Sequence, residues 1–266
     1  MFALHTVKSP RDVYGYIRYA LESGNTISYL TTSSSEVLTR DISEDWSGVS
    51  IYISSNQLSI LSAYDYFPRD AGKRLVALKA NTVSSKLLRS KNSIVVLCPG
   101  AISEYVERSS HESPAQSEGS STKVDRIKQL ETSVGAQFHD SIIVCCLFDK
   151  FVQCLEIVPL LHLLKHHQLA IRSRGEIIPL SEDDILGAMN RGIDAAMGDG
   201  CSTLLFKTIH HVYNIDENTL LLKPEVWHDK LKKLLGELSS ALIERAITKE
   251  IRKLITQQHQ FTSGSK

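Results

Sequence analysis

At Ser181 the chain changes its hydrophobic period, and that break limits what it can fold into more than any other feature. Upstream, short β-branched runs alternate with amphipathic stretches, as in Phe2–Val7, Thr26–Thr32, Ser93–Leu97 and Ser141–Phe148. Runs of this kind, separated by helical segments, predict an α/β domain with a mostly parallel sheet and helices on both faces. Downstream, apolar residues recur at helical spacing: Ile185, Met189, Ile193 and Met197, then Leu204, Leu205, Ile209 and Val212. Trp227, Leu231, Leu234 and Leu235 come next, and Leu238, Leu242, Ile247, Ile251 and Leu254 extend the stripe to about Ile255. Ser181 and Asp184 form a capping-box-like pair at the junction. The expected division is an α/β domain over 1–179, a small all-helical domain over 180–257 and a polar tail over 258–266.

Within the first part, Ser9-Pro10 opens a helix that Gly24 closes, with Val13, Ile17, Ala20 and Leu21 inward. Ser33–Trp46 is predicted helical, Val49–Ile53 and Leu58–Leu61 are predicted strands, and Asp70–Arg89 carries helical spacing. Pro99-Gly100 is predicted to stop the strand before it. Arg108–Thr122 holds six serines and almost nothing apolar, which predicts a flexible loop. A helix over Lys123–His139, a Leu-rich helix over Leu155–His167 and a hairpin around Ser173-Arg174-Gly175 complete the domain.

Composition excludes little. Lys+Arg and Asp+Glu are 30 each, so net charge argues for neither nucleic acid nor anionic membrane. The helical part is nonetheless polarised, with seven acids against two bases over Ser181–Leu222 and nine bases against five acids over Lys223–Lys266. The five cysteines include no C-x-x-C pair, which fits reduced thiols and an intracellular setting. No secretory signal is visible at the first residues, and the longest apolar run, Ile142–Phe148, is too short for a membrane span. A cytoplasmic protein is expected.

No catalytic constellation stands out. The first strand-to-helix turn, His5-Thr6-Val7-Lys8-Ser9-Pro10-Arg11, lacks the glycines of a phosphate loop, and no G-x-G-x-x-G occurs. Lys8 and Arg11 near a helix N-terminus are candidate anion contacts. His162 and His166 are at i and i+4, a zinc-chelating spacing, yet no Glu comes after the first and no further ligand lies at spacing. They are read as helix-end histidines, so no metal and no cofactor is assigned. Cys145 and Cys146 lie inside an apolar strand, where thiols are inert. Arg245, Lys249, Arg252 and Lys253 line one helix face and are candidate nucleic-acid contacts, with a solvated face as the bland alternative.

Two stretches resemble known families. Phe2 to about Ile178 resembles the MEDS (methanogen/methylotroph sensory) domain. The likeness rests on Gly24-Asn25-Thr26-Ile27-Ser28-Tyr29, on Gln57-Leu58-Ser59-Ile60-Leu61 before Tyr64 and Tyr66, on Glu131, Cys145, Phe148 and Asp149, and on His166 or His167. Asn56 stands where that family has Gly, and Phe148 where it has Tyr. The resemblance implies a RecA/KaiC-like α/β fold without a working phosphate loop, used to sense a small molecule or partner. Ile185–Ile255 resembles the archaeal output domain NitrOD5, through Tyr213-Asn214-Ile215, Lys223-Pro224, Trp227 and Leu234-Leu235-Gly236 before Ala241-Leu242-Ile243. Together they imply a non-enzymatic signal-transduction or transcription-regulatory protein, with DNA contact or homo-oligomerisation through the helical part as expected outputs. The alternatives are a RecA/KaiC-type nucleotide-binding enzyme with a degenerate loop, and an oligomeric scaffold.

Overall fold

The computed structural model describes residues 1–66, 93–111, 121–167, 169–171, 177–217, 221 and 223–256. The chain divides into two compact units, Met1–Asp149 with Arg174–Glu176, and Lys150–Ser173 with Ile177–Lys266.

The first unit is built on β1 (Phe2–Val7), β2 (Thr26–Thr31), β3 (Leu58–Ser62), β4 (Ser93–Leu97) and β5 (Ile142–Phe148). They lie in the order β3-β2-β4-β5-β1, every pair parallel, with Ala3 opposite Val144, Val96 opposite Val144 and Tyr29 opposite Ile60 and Val96. Parallel strands are buried on both faces, which is why Ile143–Leu147 reads as an unbroken apolar run and is almost wholly inaccessible. Helix α1 (Pro10–Glu22) buries Val13, Tyr16, Ile17, Ala20 and Leu21 and packs on β1 and β2. Next come α2 (Ser35–Asp45), capped by the Ser34 hydroxyl accepting from the Val37 amide, and α3 (Val49–Ser54).

Helix α3 replaces a predicted strand. Alternating Val49, Ile51 and Ile53 mimics a period of two, but only Val49 is buried, and Ile51 lies exposed. β-branched residues favour strands only where a sheet receives them, and here the next ladder begins at Leu58, beyond Asn56 in the left-handed region at φ 57°. A second difference is α4 (Pro99–His111), which starts at the Pro99-Gly100 pair expected only to stop a strand. Proline is a favoured first helical residue, because its missing N–H would have no intrahelical partner there. Helix α5 (Ser121–Gln137) comes next, so both ends of the predicted Arg108–Thr122 loop are helical. Its middle, the predicted Asp70–Arg89 helix, the Ser173-Arg174-Gly175 turn and the tail after Thr256 lie outside the described residues.

The second unit contains most of α6 (Asp149–Gln153), then α7 (Ile157–His166), the antiparallel pair β6 (Leu169–Ile171) and β7 (Ile177–Pro179), α8 (Glu182–Met197), α9 (Cys201–Tyr213), α10 (Pro224–Leu235) and α11 (Glu237–Thr256). Helix α7 packs on α10 and α11, so this unit takes in residues before Ser181 as well as after it. Ser181 caps α8 as its sequence predicts: its hydroxyl accepts from the Asp184 amide at 3.0 Å, and Asp184 accepts from the Ser181 amide. Helix α8 lies against α11 at Gly192, where an added Cβ would overlap the Ile247 Cα.

Gly236, at φ 81°, ends α10, and α11 starts with its own phase. Its buried residues are Ser240, Ile243, Ile247, Thr248, Ile251 and Ile255. Leu238 and Leu242, predicted inward by continuing the α10 stripe, therefore fall on the exposed side, as Leu204, Val212 and Met197 do on α9 and α8. Among the described residues no helix is long and apolar enough to cross a membrane.

Candidate functional site

At the carboxyl ends of β1 and β5 the predicted anion contacts are surrounded by carboxylates. The Lys8 and Ser9 amides both donate to Asp12 Oδ2, at 2.8 and 2.9 Å. Lys8 and Ser9 stand just ahead of Pro10, the first helical residue, and Asp12 satisfies their amides as a capping-box carboxylate does. Arg11 pairs with Asp45 at 3.7 Å. Burial raises the Asp149 carboxyl above its ordinary range, while the charge of Lys8 and a hydrogen bond with Thr6 pull it back. An anion at the Lys8 and Ser9 amides must displace the Asp12 carboxylate. Inorganic phosphate titrated into the protein is expected to leave the Lys8 and Ser9 amide resonances unshifted at millimolar concentrations; saturable shifts would contradict that.

The thiols of the sheet are poor nucleophiles. Burial pushes the Cys145 thiol well up, and the Glu131 carboxyl hydrogen-bonded to it adds to the rise. Cys146 is raised by burial and then by Cys98. Cys98 closes β4, accepts from the Ala101 amide at 3.2 Å, and bonds the Tyr29 hydroxyl, whose acidity burial suppresses further. Every one of these groups is inside the core of the first unit.

The basic stripe of α11 divides in two. Arg245, Lys249 and Lys253 are exposed. Arg252 instead turns to the end of α6, its Nη2 donating to the carbonyls of Gln153 and Leu155 at 2.5 and 3.3 Å. Partial burial lowers its guanidinium pKa. Lys253 pairs with Glu250, which also faces Arg191 at 3.7 Å. Three exposed cations can release about three counterions, so the salt dependence of any DNA binding through this face should have a slope no steeper than about −3 on logarithmic axes. A fluorescence-anisotropy salt titration checks this, and a slope of about −4 would return Arg252 to the interface.

A cavity of about 160 Å³ opens in the second unit. Its lining is mainly apolar, from Leu161, Leu164, Leu180, Ile185 and Leu221, with Lys165, His167 and Glu182 as its polar members. Helix α7 contributes Leu161, Leu164 and Lys165, and the start of α8 contributes Glu182 and Ile185. His162, also on α7, bonds Glu225 through Nε2 at 2.5 Å, while His167 Nδ1 is bonded to the Leu163 carbonyl at 2.8 Å. His162 and His166, read from the sequence as helix-end histidines, have separate neighbours: His162 bonds Glu225, and His166 stands edge-on to the His167 ring. The sequence gives no sign of the cavity, because its apolar residues carry the same helical spacing as core residues. Only the arrangement in space shows that they fail to fill the volume between them.

Neither a protein family, a curated protein nor a solved structure matches the chain.

Proposed function

We propose that this chain is a cytoplasmic, non-enzymatic signal-transduction or transcription-regulatory protein, with a RecA/KaiC-like N-terminal part of MEDS type and a helical, NitrOD5-like output part. The observation that carries the proposal is the cavity, lined by α7 before Ser181 and by Leu180, Glu182 and Ile185 at the start of the helical segment. A molecule held there touches both sides of the break in the chain. Its binding energy can favour one arrangement of α7 and α8 over another, which is the physical requirement for relaying a signal. The volume is close to the ~150 Å³ of an apolar cavity that takes up benzene, so the ligand is a small molecule with a largely apolar body. Native mass spectrometry of the intact protein is expected to show a small co-purifying molecule that disappears in Leu164→Trp, where the indole fills the space. An adduct retained in that variant would place the ligand elsewhere.

A nucleotide-binding enzyme is the second reading. It is favoured by the parallel sheet and by Lys8 and Asp149 at the ends of neighbouring strands. The occupation of the Lys8 and Ser9 amides by Asp12 weighs against it. Isothermal titration with Mg-ATP separates the two: the sensor reading expects no saturable heat.

A further inference from the structure

Of the polar side chains that line the cavity, one carries a charge that no other described group meets. Lys165 faces Glu225: the Glu225 backbone amide holds that carboxyl below its ordinary range, burial opposes this, and His162 and then Lys165 add to the lowering. His167 is bonded through Nδ1 to the Leu163 carbonyl. Glu182 is different. It is the first residue of α8, it is exposed, and its carboxylate has no ion-pair or hydrogen-bond partner among the described residues. Of the three acids in this first turn, Glu182 alone lines the cavity, and Asp184 is held in the capping box with Ser181.

We propose that the cavity takes a small amine, with its apolar body against Leu161, Leu164 and Ile185 and its ammonium group at the Glu182 carboxylate. This rests on the cavity being the ligand site. The volume of about 160 Å³ limits the body to about the size of a benzene ring. The charges around it decide the sign of the head group. An anion would have to draw Lys165 from Glu225, and it would face the Glu182, Asp183 and Asp184 carboxylates of one helical turn. A cation meets those three charges with the favourable sign, and Glu182 gives up no bond to receive it.

The place of the carboxylate suits an ammonium for a second reason. Taking an ammonium wholly out of water is costly even when it is paired, so such a ligand binds with its charge at the rim. Leu161, Leu164 and Ile185 are buried, whereas Glu182 is exposed. The apolar end of the amine therefore touches α7 and its charged end the first turn of α8, and one small molecule spans the two helices. Water and salt weaken the attraction of an exposed carboxylate. The gain over a neutral ligand of equal shape is accordingly about two- to five-fold.

The test uses the full chain and three probes of like shape: benzylamine, benzyl alcohol and benzoate. Titrations at about pH 7, where carboxylates and alkylamines are both charged, are followed by the methyl resonances of Leu161, Leu164 and Ile185. Benzylamine is expected to bind about two- to five-fold more tightly than benzyl alcohol, and benzoate more weakly than either. Glu182→Gln should bring benzylamine to the affinity of benzyl alcohol and leave benzyl alcohol unchanged. Three results overturn the amine assignment while keeping the cavity as the site. They are no preference for benzylamine in the unaltered protein, a preference that survives Glu182→Gln, and tighter binding of benzoate. Equal weakening of benzylamine and benzyl alcohol by Glu182→Gln also overturns it, since the side chain then acts on the shape of the cavity. If none of the probes shifts any of these methyls, the cavity reading fails and the amine assignment falls with it.

Discussion

Gly192→Ala is expected to destabilise the protein by about 2 kcal/mol or more, lowering the thermal midpoint by roughly 4–8 °C. On an isolated helix the same change would be favourable by about 1 kcal/mol, because alanine restricts the unfolded chain and favours the helix. The tertiary contact reverses the sign. A Cβ at this position overlaps the Ile247 Cα, and it meets the Ile247 amide nitrogen at 2.7 Å and the Ala246 carbonyl carbon at 3.0 Å. All three are backbone atoms, so no side-chain rotation relieves the overlap and α8 and α11 must move apart. Ile193 and Ile247, both fully buried, would lose packing as they do. Urea denaturation followed by circular dichroism measures the effect; an unchanged midpoint would mean that the helices do not approach this closely in solution.

Trp227→Ala is expected to be worse, at about 3–5 kcal/mol. Trp227 is fully buried in α10, with the Phe206 ring of α9 at 5.7 Å between centroids, so its removal leaves a large void between two helices. Its indole Nε1 is buried with no hydrogen-bond partner among the described residues. An unpaired buried donor costs on the order of 1–3 kcal/mol, which the packing of the ring must exceed. Trp227→Phe removes that donor while keeping an aromatic body, and should therefore cost far less than Trp227→Ala. Equal losses in the two variants would mean that the indole N–H finds an acceptor and contributes to stability.

How legible the fold is depends on the kind of signal. The buried parallel strands are plain in the sequence, because a strand covered on both faces has no polar positions to interrupt it, as in Ile142–Phe148. The cap at Ser181 is equally plain, since Ser and Asp at this spacing satisfy each other's amides locally. Pro99 is ambiguous because the same residue ends a strand and begins a helix, and only the run of residues after it separates the two. Val49–Ile53 misleads because three alternating apolar residues fit a strand that the sheet has no place for. The phase of α11 is lost by carrying the α10 stripe across Gly236, which puts Leu238 and Leu242 on the wrong side.

The site is less legible than the fold, for a physical reason. Lys8, Arg11, Arg252 and Lys253 stand out in the sequence as charges, but spacing does not show which partners the fold gives them. Asp45 meets Arg11, two backbone carbonyls meet Arg252 and Glu250 meets Lys253. The cavity has the opposite problem. Leu161, Leu164, Leu180, Ile185 and Leu221 look like ordinary core residues, and what distinguishes them is the space they leave.

The central claim is that this space couples α7 to the start of α8. Hydrogen–deuterium exchange of α8 amides, comparing the unaltered protein with Leu164→Trp and with Leu180→Trp, tests it most directly. Filling the cavity from either side should slow exchange over Glu182–Met197 by the same pattern. Exchange in α8 that is unchanged in both variants would contradict the coupling.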